Sequence, residues 1–194
     1  MMRGAGALLL LLVALSAPAS EPRLLPELRS HEIAAGAFTQ RRELPDLERA
    51  IESRGRFVYH RERGLYWAVE APVASELVID ATGVYQQGER VEGAGALAAV
   101  RPLFRGLFGG ELENLREDFR IERLAPESGW EVVLTPRGGA LAGAIERIVL
   151  AGGERPRRVM IAAADGSRTV LEFSEVDYPS RAGEAARRAF DRVR

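Results

Sequence analysis

The hydrophobic and polar positions of this chain change period several times, and each change marks an element. Leu65, Trp67 and Val69 alternate with Tyr66, Ala68 and Glu70, and after Pro72 the alternation resumes at Leu77 and Ile79. A period of two puts every second side chain on one face of a strand, so these segments predict consecutive strands sharing an aromatic and aliphatic face. Upstream, Phe57, Tyr59 and Arg61 share one side of a strand that turns through Arg63-Gly64. Downstream, Ala81-Thr82-Gly83 separates Leu77–Asp80 from Val84–Gln87. Short strands with glycine turns predict an antiparallel meander.

Elsewhere the period lengthens. Ser20 to Ala35 predicts a helix with Leu24, Leu25, Leu28 and Ile33 on one face and Arg29 and Glu32 on the other. Phe38–Leu44 is a short extended piece, and Pro45–Ser53 fits a helical turn or two and a loop equally well. Leu97, Val100, Phe104 and Leu107 recur at helical spacing, interrupted by Pro102 and weakened by Gly106, Gly109 and Gly110; proline and glycine make this a kinked, mobile apolar helix. Strands then resume at Phe119 and Ile121, at Trp130, Val132 and Leu134, and, after a Gly138-Gly139 loop, over 145–150, 158–162 and 169–176. Asp165-Gly166 is a hairpin turn of the favoured kind. Ser180 is a candidate N-cap for a closing helix with Ala182, Ala186, Phe190 and Val193 on one face and Arg181, Arg187, Arg188, Arg192 and Arg194 on the other. About ten strands and three or four helices predict an α+β fold, a large curved antiparallel sheet with helices covering one face.

Three features of composition change this picture. Arg3, the apolar run Leu8–Leu15 and Ala17-Pro18-Ala19 form a secretion signal. Cleavage after Ala19 leaves 20–194 as one soluble, exported domain. The apolar run is too short for an anchor that stays uncleaved. There is no cysteine, which removes disulfides, thiolate chemistry and the lipid-anchored form of the signal. The 27 basic and 28 acidic residues nearly cancel, so no basic field for nucleic acid exists; the basic residues are all arginine, as codon bias would produce.

Catalytic chemistry finds little support. The two histidines, His31 and His60, make no metal-binding motif, since His31-Glu32 continues as Ile33-Ala34-Ala35. Gly93-Ala94-Gly95 lacks a final glycine and a βαβ setting, and Ser75, Ser128 and Ser167 sit in no nucleophile elbow. The expectation is a non-enzymatic protein with no catalytic residue, metal or cofactor. Binding is better supported. The sheet carries Phe38, Phe57, Tyr59, Leu65, Trp67, Val69, Leu77, Ile79 and Trp130, and the mid-chain helix adds Leu97, Val100 and Phe104. Periodicity alone fits a ligand cavity under a movable lid and a close-packed core equally.

The ordered motifs go further. Gly36-x-Phe38-x-Gln40-x-Arg42-x-Leu44 is followed by Gly55-x-Phe57-x-Tyr59, then by Gly64-Leu65-x-Trp67-x-Val69-x-x-Pro72 and Leu77-Val78-Ile79. Phe119, Gly129-Trp130-x-Val132-x-Leu134-x-Pro136 and Asp165-Gly166-Ser167-x-Thr169-x-x-x-Phe173 follow in order. This set, spanning nearly the whole exported chain, resembles the periplasmic outer-membrane lipoprotein carriers, the LolA-like family, and within it the divergent LolA-related branch. The resemblance implies a half-open β-barrel whose concave apolar face is closed by helices, and a monomer that carries acyl chains of a lipoprotein or other lipid from an inner-membrane ABC transporter to an outer-membrane receptor. It also implies a lid latch, an arginine six residues before the tryptophan position; Arg61 holds that spacing, with Arg63 a competitor. The segment after Gln40 is compressed, and a basic helix replaces the family's C-terminal extension. The cargo therefore stays open between lipoprotein, glycolipid and other acylated molecules. A lipid- or partner-sensing module that transfers nothing is the alternative.

Overall fold

The computed structural model describes residues 25, 28–93 and 100–193. The secretion signal with its cleavage after Ala19, most of the first expected helix, Leu97 and Arg194 lie outside these residues.

Among the described residues eleven strands form one antiparallel sheet. In chain order they are β1 (Ile33–Glu43), β2 (Ile51–His60), β3 (Gly64–Ala71), β4 (Ser75–Ile79), β5 (Val84–Gln86), β6 (Glu89–Arg90), β7 (Phe119–Leu124), β8 (Trp130–Pro136), β9 (Ile145–Gly152), β10 (Pro156–Ala163) and β11 (Arg168–Asp177). Their spatial order is β6-β5-β4-β3-β2-β1-β11-β10-β9-β8-β7. Two meanders, one from each half of the chain, thus meet along the β1–β11 seam. Among the described residues the helices are α1 (Val100–Gly109), α2 (Gly139–Ala144) and α3 (Glu184–Arg192), with a 3-10 turn over Leu112–Arg116.

The α+β class and the antiparallel pairing agree with the sequence pattern. The half-open barrel does not. The sheet is open, neither closed nor strongly curled, and β6 and β7 end it as separate edges. Alternation of side chains is identical in a flat, twisted or closed sheet, whereas closure depends on strand tilt and stagger, which no periodicity records.

Two local readings also change, and one that was open between helix and loop closes on the loop. Ile33, Ala34 and Ala35 belong to β1 and not to a helix. All three pair with β2, and Ala35 with β11 as well; the ladder outweighs the weak preference of alanine for a helix. Residues 45–50 are loop, and Leu47 there is half exposed. Helix α3 begins at Glu184 behind Gly183, with no side-chain cap from Ser180.

Both faces of the sheet are covered in part. One face carries Phe38, Phe57, Tyr59, Leu65 and Ile79 from the first meander and Trp130, Val132, Leu134, Ile148, Leu150, Val159, Leu171 and Phe173 from the second, all buried. Helix α1 packs its Leu103, Phe104, Leu107 and Phe108 on this face, joined by Leu112, Leu115, Leu25 and Leu28. The other face carries Tyr66 and Val78, covered by Ala186, Ala189 and Phe190 of α3. Arginines occupy α3's solvent side, the amphipathic split expected of a surface helix.

A bulge adjusts the central seam. The β1–β11 register shifts between Ala35 and Ala37, and Glu175 has φ of 52°. One extra residue lets Phe173 and Val176, three apart, both be buried. Gly36 makes the approach possible, since a Cβ there would stand 2.9 Å from the Phe57 ring and 3.0 Å from the Ser174 carbonyl.

Phe57 is fully buried. Phe57→Ala is expected to cost about 3–5 kcal/mol, while Leu47→Ala, half exposed, stays within about 0.5 kcal/mol; urea unfolding of both variants checks the contrast.

Candidate functional site

The site is the seat of α1 on the aromatic face. Antiparallel register builds it. Phe57 lies opposite Trp67, Tyr59 opposite Leu65, and these in turn opposite Leu77 and Ile79, so the alternating residues of three strands merge into one patch. Phe38 stacks on Trp67 with ring centroids 3.6 Å apart. They meet across Gly55, where a Cβ would lie 2.9 Å from the Phe38 ring and 1.9 Å from the Ala68 carbonyl.

Helix α1 fills what this patch would otherwise expose. Phe104 and Phe108, one turn apart, contact Phe57 at 6.1 and 5.0 Å and Phe173 at 6.0 and 5.6 Å between centroids. Phe104 also meets Trp67 edge-on at 5.7 Å. Each such side chain contributes about 1.5–3 kcal/mol by burial, which a ten-residue helix needs because it is marginal alone. Trp67, Val69, Leu77 and Val100 are only partly buried and border this cluster. Trp130 is buried too, but on β8, four strands from β1, where its Nε1 donates to the Gly153 carbonyl at 2.8 Å. Leu97 lies outside the described residues. The expected lining residues are therefore drawn into one layer that is packed in this conformation, with Trp130 set apart.

Polar groups hold the end of α1. Arg61 follows β2, and its backbone N–H donates to the Glu32 carbonyl at 2.9 Å. Its guanidinium donates to the carbonyls of Gly109 (3.2 Å) and His31 (3.1 Å), to Ser30 Oγ at 2.5 Å, and to the Glu111 carboxylate; Glu32 lies 3.4 Å from its Nε. Glu111 also accepts from Arg105 at 2.6 Å and Asn114 at 3.0 Å. The Glu111 bond raises the pKa of Arg105. One guanidinium thus joins the lead-in to β1 with the last residue of α1 and the chain just beyond it. Such charge-assisted bonds are about twice as strong as neutral ones.

Arg63, two residues on, faces elsewhere. It bonds Asp191 of α3 at 2.5 Å and lies 4.9 Å over the Phe190 ring. Arg192 adds an ion pair to Glu76 at 2.7 Å, and Glu76 accepts from the Tyr66 hydroxyl at 2.9 Å. Burial, with Glu76 assisting, pushes the Tyr66 pKa up to about 12.

Tyr59 is the anomaly. Its hydroxyl is buried without a hydrogen-bond partner among the described residues, and a Cβ on Gly109 would come within 2.6 Å of it. Burial raises its pKa, against the opposing charge of Arg61. A buried donor left unpaired costs about 1–3 kcal/mol, so α1 closes over the patch against a penalty. Sequence reasoning missed Glu111 and Ser30, and left Phe108 out of the lining. Phe108 had a signal, being four residues after Phe104; Glu111 and Ser30 had none, because their partner is 50 and 31 residues away.

Among the described residues no three His, Asp or Glu side chains converge as a metal site, and no helix is long and apolar enough to cross a membrane. No protein-family model matches the chain, and no curated protein does. Several solved structures are similar. One is a LolA superfamily protein from Nitrosomonas europaea, at 11% identity and TM-score 0.45 over 80% of this chain and 90% of that one. Another is a DUF1329 family protein from Desulfovibrio piger, at 11% identity and TM-score 0.40 over 80% and 89%. The MucA/MucB complex of Pseudomonas aeruginosa gives 11% identity and TM-score 0.43 over 79% of this chain and 54% of that one. The likeness is at low identity and assigns the chain to none of these families.

Arg61→Leu is expected to speed amide exchange across α1 by about tenfold or more, the worth of a lost charged bond, while leaving α3 unchanged. Arg63→Leu should do the reverse. Hydrogen-exchange mass spectrometry separates the two, and equal patterns would remove the distinction.

Proposed function

We propose that this protein is a non-enzymatic periplasmic binding module whose aromatic face takes an apolar ligand when α1 lifts. The observation supporting this reading is the way α1 is seated. An aromatic patch lies beneath a short helix containing Pro102, Gly106 and Gly109, closed over an unpaired Tyr59 hydroxyl and held at one end by Arg61 and Glu111. A core built only for stability gains nothing from an orphan donor, and the two glycines that let α1 pack closely also weaken it as a helix. A lid gains from both, because each lowers the free energy of opening.

In this reading Arg61 is the latch. Phe38, Phe57, Tyr59, Leu65, Trp67, Val69, Leu77 and Ile79 meet the ligand from the sheet, and Val100 and Phe104 from the lid; Trp130, set apart on β8, takes no part. Acyl chains suit the patch, since each buried methylene contributes about 0.8 kcal/mol. A lipid or an apolar partner segment held in this way makes a sensing module. Carriage of a lipoprotein or other lipid between an inner-membrane transporter and an outer-membrane receptor is the further possibility of the same chemistry, and vesicle assays divide the two.

Delipidated protein is expected to bind a fluorescent fatty-acyl probe, with enhanced fluorescence displaced by unlabelled fatty acid. No binding, together with no lipid copurifying in native mass spectrometry, would overturn the reading. Transfer between donor and acceptor vesicles marks a carrier, and binding without transfer a sensor.

Tyr59→Phe removes the orphan hydroxyl. It should stabilise the closed form by about 1 kcal/mol and slow probe uptake several-fold in stopped-flow fluorescence.

A further inference from the structure

A second site lies outside the patch, on the far side of the Arg61 contact. Arg29, His31, Trp130, Glu154, Arg155 and Tyr178 line a cleft of about 780 Å³, a volume in the range of small-molecule sites. Its walls are held in place. The Trp130 Nε1 bond to the Gly153 carbonyl ties the β9–β10 turn to β8, and Gly129, at φ of 76°, admits the Gly152 carbonyl where a Cβ would lie 2.1 Å away. Arg155 donates to the Val176 carbonyl and sits 5.7 Å over the Tyr178 ring. His31 stacks on that same ring at 3.4 Å and 8°. Imidazole nitrogens lie in the ring plane, so stacking does not cover them; the neutral ring donates from one and the imidazolium from both.

Within the lining of the cleft two arginines, Arg29 and Arg155, stand against one carboxylate, Glu154. From the lead-in to β1 come Arg29 and Glu32, from the end of β2 His60 and Arg61, from the β9–β10 turn Glu154 and Arg155, and from the end of β11 Asp177 and Tyr178. Glu32 is engaged by Arg61 and His60, and Asp177, which accepts from the Tyr178 N–H, does not line the cleft. Glu154 alone is left to face Arg29 and Arg155. Burial and the charges of Arg29, Arg155 and Arg61 hold the His31 pKa below the ordinary 6.5, as expected where cations crowd an imidazole.

We propose that this cleft binds an oxyanion, a phosphate or carboxylate, between Arg29, Arg155 and His31. The site does not depend on the aromatic patch, although the His31 carbonyl bonds Arg61 and so places the anion one residue from the lid contact. The sign of its pH dependence follows from the geometry. A bound anion favours the imidazolium, so it raises the His31 titration midpoint, and by linkage the anion binds more tightly as pH falls through the His31 range.

The chain has two histidines, so proton NMR of the full chain reads His31 against His60 as an internal reference. Probes are inorganic phosphate, dihexanoyl phosphatidic acid and dihexanoyl phosphatidylcholine, at matched ionic strength and below micelle formation. Phosphate and phosphatidic acid are expected to raise the His31 midpoint and leave His60 in place. Arg29→Ala and Arg155→Gln should each weaken the effect about tenfold; exposed Arg29 serves as the variant that leaves the Arg155–Val176 bond intact. Saturation by phosphatidic acid at lower concentration assigns a lipid headgroup, and equal saturation a free anion. An unmoved His31, a shift shared by both histidines, a shift surviving both substitutions, or an equal response to phosphatidylcholine would overturn the proposal.

Discussion

Arg61 joins the parts of this protein that meet on the aromatic face. It reaches the lead-in to β1 through Ser30 and the His31 carbonyl, and α1 through the Gly109 carbonyl and Glu111. Apolar burial seats α1 but is non-directional, and a patch as broad as Phe38, Phe57, Trp67 and Phe173 would accept a helix in more than one position. The guanidinium's fixed donor directions supply what burial lacks. They set where α1 ends, and so place Phe104 and Phe108 over Phe57.

The cost of this arrangement falls on Tyr59. Its ring belongs to the apolar layer while its hydroxyl is shut in beside Gly109 without a partner. Ordinary cores avoid such a donor or pair it. Gly106 and Gly109 permit close packing, since a Cβ at Gly106 would press to 3.0 Å from Leu112, yet glycine also weakens a helix interior. Stability and release are therefore set by the same few residues.

The opposite face is organised differently. Arg63, Glu76, Tyr66 and Asp191 tie α3 to β3 and β4 through ion pairs and one cation–π contact. The turn between β2 and β3 thus sends its two arginines to helices on opposite faces. A spacing rule relative to Trp67 selects Arg61, but spacing says nothing of Arg63's destination. That depends on α3, more than a hundred residues later in the chain.

The strands were legible wherever one face is buried and the other wet, as in Leu65–Trp67–Val69, because the pleat converts alternation directly into facing. The apolar stripes of α1 and α3 were legible through the helical period. Ile33–Ala35 differ from the helical reading, since a short apolar run suits either period and only its pairing with β2 decides between them. The shape of the sheet was not written locally at all: alternation is the same whether β6 and β7 close or stay apart. By itself the sequence determined most of the strands, the helices α1 and α3 and the apolar face of each. Tertiary structure alone decided that the sheet stays open, that α1 fills the patch, and that Arg61, Glu111, His31 and Arg155 come together. Those contacts join residues far apart in the chain, and only the register of a folded sheet brings them within reach.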